Sequence, residues 1–129
     1  MFHITVDREF CAAHALLIRG VSEPIHGHNF HLSVTLRGPT LDADGLLLDF
    51  HALDHALTDI LRPFTNANLN TTPPFNTLNP SAENIAKYLA DSITHTLPNI
   101  TPTGALIPTL HSVRLTEAPN CAVTYFPPS

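Results

Sequence analysis

Positive charge is scarce in this chain: one lysine, Lys87, and five scattered arginines stand against 11 acidic residues. No stretch offers the basic patch with which a protein tracks a phosphate backbone, so nucleic acid is not an expected partner. Long apolar runs are missing as well. None approaches the roughly 18 residues that a membrane span requires, and "MFHITVDREF" lacks the basic start and apolar middle of an export signal. The expectation is a cytoplasmic protein with no membrane partner. Its two cysteines, Cys11 and Cys121, are too few for a disulfide framework and are expected as thiols. What the chain does have is 9 histidines, more than its 6 lysines and arginines together, and histidine is the side chain of metal binding and proton transfer near neutral pH.

At 129 residues the chain has the size of one domain, residues 1–129. "FHITV" alternates, with Phe2, Ile4 and Val6 on one face, and reads as a first strand. From His26 a longer alternation puts Phe30, Leu32, Val34 and Leu36 on one side and His31, Ser33, Thr35 and Arg37 on the other. After the turn-rich "GPTLDADG", a helix is expected from an Asp49 cap, with Leu53, Ala56, Leu57, Ile60 and Leu61 at helical spacing and Pro63 beyond its end. "RPFTNANLNTTPPFNTL" has no periodicity and reads as an ordered loop of a length that is often functional. A second helix is expected from "NPSAEN", with Asn79 as cap and Pro80 at the first helical position. Two strands near 110–117 and 121–126 close the pattern across the turn "APNC". The order ββααββ, with strands at both ends, argues an α+β domain around an antiparallel sheet.

The chemistry concentrates in "EPIHGHNF". Residues two apart in a strand share a face, so His26 and His28 can aim at one ion. His14, at the end of the first strand in "FCAAH", can join them if that strand pairs antiparallel with the second. Three imidazoles with a fourth position open is the layout of a catalytic zinc. An H-x-H pair also occurs as surface or core histidine, and the pattern alone leaves that alternative standing. Its place on the apolar face favours a ligand, because buried ring nitrogens need partners.

These segments resemble the 6-pyruvoyltetrahydropterin synthase and 6-carboxytetrahydropterin synthase family. The resemblance is carried in order by "FCAAH", "HGHNF", "GLLLDF", "NPSAENIAKYL" and "VRLTEAPNCAVTY". It implies the tunnelling fold, a four-stranded antiparallel sheet with two helices on one face. It also implies assembly into homotrimers and homohexamers, Zn2+ on His14, His26 and His28, and a pterin ring anchored by Glu117. Glu117 shares its strand face with Val113 and Leu115, so its carboxylate would point inward. The implied substrate is 7,8-dihydroneopterin triphosphate.

The chain departs from that family at two places. Ser22 stands where relatives that make the pyruvoyl or carboxy product carry a cysteine, and a serine is a poor base without activation. Glu23, three residues before HGH, matches the branch that forms 6-hydroxymethyl-7,8-dihydropterin for folate synthesis and becomes the candidate base. The family's Asp-His pair aligns with Thr65 and Asn66, and asparagine cannot carry a proton at neutral pH. His51 and His55, with Asp54, are either stand-ins or ordinary exposed residues of the first helix. Cys11, three before His14, falls on the opposite strand face and reads as structural. The expected activity is a zinc-dependent pterin lyase forming 6-hydroxymethyl-7,8-dihydropterin. The alternatives are the 6-carboxytetrahydropterin synthase of queuosine biosynthesis and a non-catalytic zinc- and pterin-binding paralogue.

Overall fold

The computed structural model describes residues 1–129. Two 13-residue strands, β1 (Phe2–His14) and β4 (His26–Gly38), run antiparallel along their full length, from Phe2 opposite Gly38 to His14 opposite His26. The alternation visible in "FHITV" therefore continues to His14. Between them the chain makes a small hairpin, β2 (Leu17–Ile18) and β3 (Val21–Ser22), through Arg19 and Gly20, both at positive φ. Two successive left-handed residues suit the right-handed twist of the flanking strands.

The rest of the sheet comes from the other end of the sequence. β6 (Thr109–Ala118) pairs with β4, and β7 (Cys121–Tyr125) pairs with β6, both antiparallel. The expected four-stranded antiparallel sheet is present as β1-β4-β6-β7, but it is not the whole sheet. A fifth strand, β5 (Ala67–Asn68), lies parallel to β1 at Ala12–Ala13, making a mixed sheet of order β5-β1-β4-β6-β7. Two residues inside the asparagine-rich loop are too few for any periodicity to announce, which is why the sequence reads as loop there.

Both helices cover one face. In α1 (Phe50–Leu61), Asp49 accepts from the His51 N–H and caps the helix as expected. The cap of α2 (Ala82–Ile100) is Ser81, accepting from Asn84 N–H, and not Asn79. Asn79 instead faces back across the chain, accepting from Leu17 N–H and donating to Leu17 C=O. Phe30, Leu32, Val34 and Leu36 of β4 are fully buried beneath Leu57 and Leu89 of the helices. No helix is long and apolar enough to cross a membrane.

The opposite face of the sheet is polar. Thr5 bonds Thr35, Ser33 donates to Asp7, Glu9 meets His31, and Cys11 donates to Asn29, four cross-strand pairs between β1 and β4. An antiparallel sheet with one buried and one polar face is what strict alternation produces.

Candidate metal centre

The β1–β4 register builds the site. Because His14 lies directly opposite His26, and His28 is two residues further along the same face, three imidazoles converge at one corner of the sheet. Their ring centroids are 4.7 to 5.0 Å apart and their planes stand at 68° to 89° to one another. One ring nitrogen from each lies within 4.8 Å of the others. Zinc bonds of about 2.05 Å in tetrahedral geometry place nitrogens roughly 3.4 Å apart, so small ring rotations would close the set.

The outward nitrogens are fixed by backbone carbonyls. His14 Nδ1 is 2.8 Å from Pro80 C=O, and His26 Nδ1 is 2.9 Å from Pro24 C=O. A carbonyl only accepts, so each Nδ1 carries the proton and each Nε2 turns a lone pair inward. His14 is fully buried, and its Nε2, together with His28 Nε2 and Glu117 Oε1, is buried without a hydrogen-bond partner. Glu117 Oε1 is nonetheless 3.2 Å from His14 Nε2 and 3.9 Å from His28 Nε2. Two acceptors facing each other at that distance are stabilised only by a cation between or beside them. Burial pushes the His28 imidazole below its ordinary value, against the pull of Glu117, keeping it in the neutral form that a ligand requires. The donor set fits zinc.

Glu23 is held beside this cluster by a two-way clamp. Its backbone N–H donates to Leu16 C=O and its Oε1 accepts from Leu16 N–H, both at 2.9 Å. That leaves Oε1 3.7 Å from His26 Nε2. The neighbouring residues are pinned in the same way. Asn70 both accepts from Ala15 N–H and donates to Ala15 C=O, while Asn79 does the same for Leu17. Two asparagine side chains thus act as strand partners for the segment from Ala15 to the first hairpin residue, Leu17. The sequence signal was the density of asparagine in "TNANLN" and "NTLNP", which composition alone cannot assign to a target.

The remaining sequence candidates separate. Ser22 is exposed, and its Oγ contacts only Glu23 C=O at 3.4 Å, so no base activates it. Thr65 hydroxyl donates to Leu61 C=O at the end of α1 and is not brought to the imidazoles. Asn66, left-handed at φ 58°, donates its backbone N–H to Cys11 C=O and lines a shallow cavity shared with Cys11 and His28. His51 and His55 are exposed on α1, and Asp54 is paired with Arg8 at 3.0 Å; none of them reaches the centre. Glu117 is brought to the same corner, its Oε1 against the His14 and His28 rings.

Solved structures place this architecture in a known fold class. A Caenorhabditis elegans 6-pyruvoyl tetrahydropterin synthase superposes with a TM-score of 0.78 at 25% identity, covering 99% of this chain and 98% of the other. The Plasmodium vivax 6-pyruvoyltetrahydropterin synthase follows the same fold at a TM-score of 0.71 and 18% identity, with 96% of each chain covered. The model of the 6-pyruvoyl tetrahydropterin synthase family matches residues 3–128, and the chain belongs to that family, whose members are lyases of pterin metabolism. Among curated relatives, the dihydroneopterin monophosphate aldolase of Pyrococcus furiosus is 34% identical over 89 residues, 69% of this chain and 72% of that one. The Homo sapiens 6-pyruvoyl tetrahydrobiopterin synthase is 28% identical over 102 residues, 78% of this chain. That match spans 65% of the human protein.

Proposed function

We propose that residues 1–129 form one pterin-lyase domain that cleaves the side chain of a 7,8-dihydroneopterin phosphate to 6-hydroxymethyl-7,8-dihydropterin, with Glu23 as base. The observation that carries this reading is the clamp on Leu16, which fixes a carboxylate 3.7 Å from a candidate ligand nitrogen while Ser22 stands inactive beside it. The aldolase name of the Pyrococcus furiosus relative supports the same bond cleavage. It also favours a monophosphate over the triphosphate expected from the sequence. Neither cavity beside His28 is lined by a lysine or arginine.

The reaction is a retro-aldol step. Glu23 takes the proton of the side-chain hydroxyl two carbons from the ring, that carbon becomes the carbonyl of a two-carbon aldehyde, and the pair of the broken carbon–carbon bond moves onto the ring imine. Zinc on His14, His26 and His28 would supply Lewis acidity to the reacting side chain. Glu117 accepts hydrogen bonds from the bound pterin, and His14 and His26 are held in their ligand tautomers by Pro80 and Pro24. Self-association into a homotrimer or homohexamer is part of the proposal, supported by the open edges that β7 and the length of β1 before Ala12, beyond the two residues that β5 covers, present.

The test is product identification by mass spectrometry after incubating the zinc-loaded protein with dihydroneopterin mono- and triphosphate. The expected product is 6-hydroxymethyl-7,8-dihydropterin, with turnover lost and zinc content kept in Glu23→Ala. Acetaldehyde release would establish the 6-carboxytetrahydropterin reading instead, and no turnover of either substrate would leave a binding protein.

A further inference from the structure

Retro-aldol cleavage needs more proton transfers than the one from the side-chain hydroxyl that Glu23 accounts for. As the bond pair arrives on the ring imine a proton must be delivered there, and a proton must finally reach the side-chain carbon that stays with the pterin. On the helix-covered face the proton that Glu23 has taken can serve the carbon, and the ring imine needs a donor of its own. The three imidazoles are turned inward as electron-pair donors, and Glu117 Oε1 is an acceptor among them.

The strand ends open a route to the other face. Pairing of β4 with β6 stops at His31 opposite Thr116, and beyond it the strands part around a cleft of about 410 Å³. His28 and Glu117 line this cleft from the metal side, and His31 and Thr116 from the polar face. Glu9 lies directly opposite His31 in the β1–β4 register, and its Oε1 is 2.9 Å from His31 Nδ1. A carboxylate there fixes Nδ1 as the protonated nitrogen and leaves Nε2 to exchange protons with whatever enters the cleft. Among the lining residues, His31 alone combines a titratable side chain with freedom from the imidazole cluster; Asn29 and Thr116 cannot shuttle a proton near neutral pH.

We infer that His31 is the second catalytic group, a general acid reaching substrate through the β4–β6 cleft, and that Glu9 is its positioning residue. The inference rests on the retro-aldol reading above and names the residue that reading lacks. His31 Nε2–H donates to the ring imine nitrogen as the carbon–carbon bond breaks, and His31 takes that proton back as the side-chain carbon is protonated and the imine re-forms. The proton that left the hydroxyl balances the one gained at carbon, so substrate equals hydroxymethyl pterin plus aldehyde, with no oxidant or reductant.

The deciding experiment compares wild type, His31→Ala and Glu9→Gln, all zinc-loaded, on dihydroneopterin monophosphate. His31→Ala is expected to lower kcat by about 10²–10⁴-fold, the usual range for a positioned acid or base, with zinc content unchanged. Because His31 is exposed, free imidazole should restore part of that rate in proportion to its concentration. Glu9→Gln is expected to lower kcat while leaving KM in place, a split that a merely structural surface pair would not produce. His31→Ala turnover within about twofold of wild type, or a loss that imidazole leaves untouched, overturns the inference while the cleavage itself stands. If wild type forms no hydroxymethyl product, the functional reading falls first and takes this one with it.

Discussion

At the scale of single residues, the unusual contact is that of Glu117 Oε1 with His14 Nε2, 3.2 Å apart, where His14 Nδ1 already donates to Pro80 C=O and the neutral ring therefore meets the carboxylate acceptor to acceptor. Replacing that oxygen by an amide nitrogen converts an acceptor–acceptor contact into a donor–acceptor one. Glu117→Gln should therefore raise the melting temperature of the metal-free protein, by a gain of about 1–3 kcal/mol for satisfying a buried polar group. The same change removes a negative charge beside the imidazoles and should weaken zinc binding, by roughly 10- to 100-fold on the pattern of residues that support metal ligands. Opposite signs in the two measurements are the signature; a fall in both would mean that Glu117 holds the fold and not the ion. The histidines were legible in the sequence because a period of two decides faces without knowledge of anything distant. Glu117 was legible as inward-facing for the same reason. Its nearness to His14 was not, because β6 reaches the site only through its pairing with β4, where His31 lies opposite Thr116, and no local pattern encodes a partner that far along the chain.

At the scale of elements, the loop between the helices does work that its lack of periodicity concealed. Asn70 gives Ala15 both a donor and an acceptor, replacing a strand partner, and stands next in line to the Leu16–Glu23 clamp. Asn70→Ala leaves Ala15 N–H and C=O without those bonds and should cost about 1–3 kcal/mol of stability, read by thermal or urea unfolding. It should also lower turnover without changing zinc content, because His14 is anchored separately through Pro80 while Glu23 depends on the path of residues 15–17. Loss of zinc in this variant would show instead that the loop and the metal centre form one unit. The helices were legible from capping and spacing, with one displacement: Asn79 and Ser81 are both cap-type residues, and the sequence has no means of showing that Asn79 is already committed to Leu17. The β2–β3 hairpin had a signal in the "IRGV" turn, where apolar residues flank an Arg-Gly pair.

At the scale of the whole molecule, charge opposes the proposed substrate. The formal net charge is −5, and of the few cations Arg8, Arg62 and Lys87 are already paired with Asp54, Asp59 and Asp91. Neither cavity beside His28 is lined by a lysine or arginine. An anion approaching such a surface is repelled in proportion to its own charge, so a triphosphate is penalised more than a monophosphate. The repulsion is long-ranged only at low salt, the screening length falling from about 30 Å at 0.01 M to about 8 Å at 0.15 M ionic strength. Raising the salt across that interval should therefore increase kcat/KM for dihydroneopterin triphosphate more than for the monophosphate, and the ratio of the two should rise. An assembly that supplies a cationic pocket from a neighbouring copy predicts the reverse. Screening would then weaken the triphosphate's attraction first and the ratio would fall. The direction of that one ratio thus reports whether the phosphate meets this chain's own surface or a site completed by its assembly.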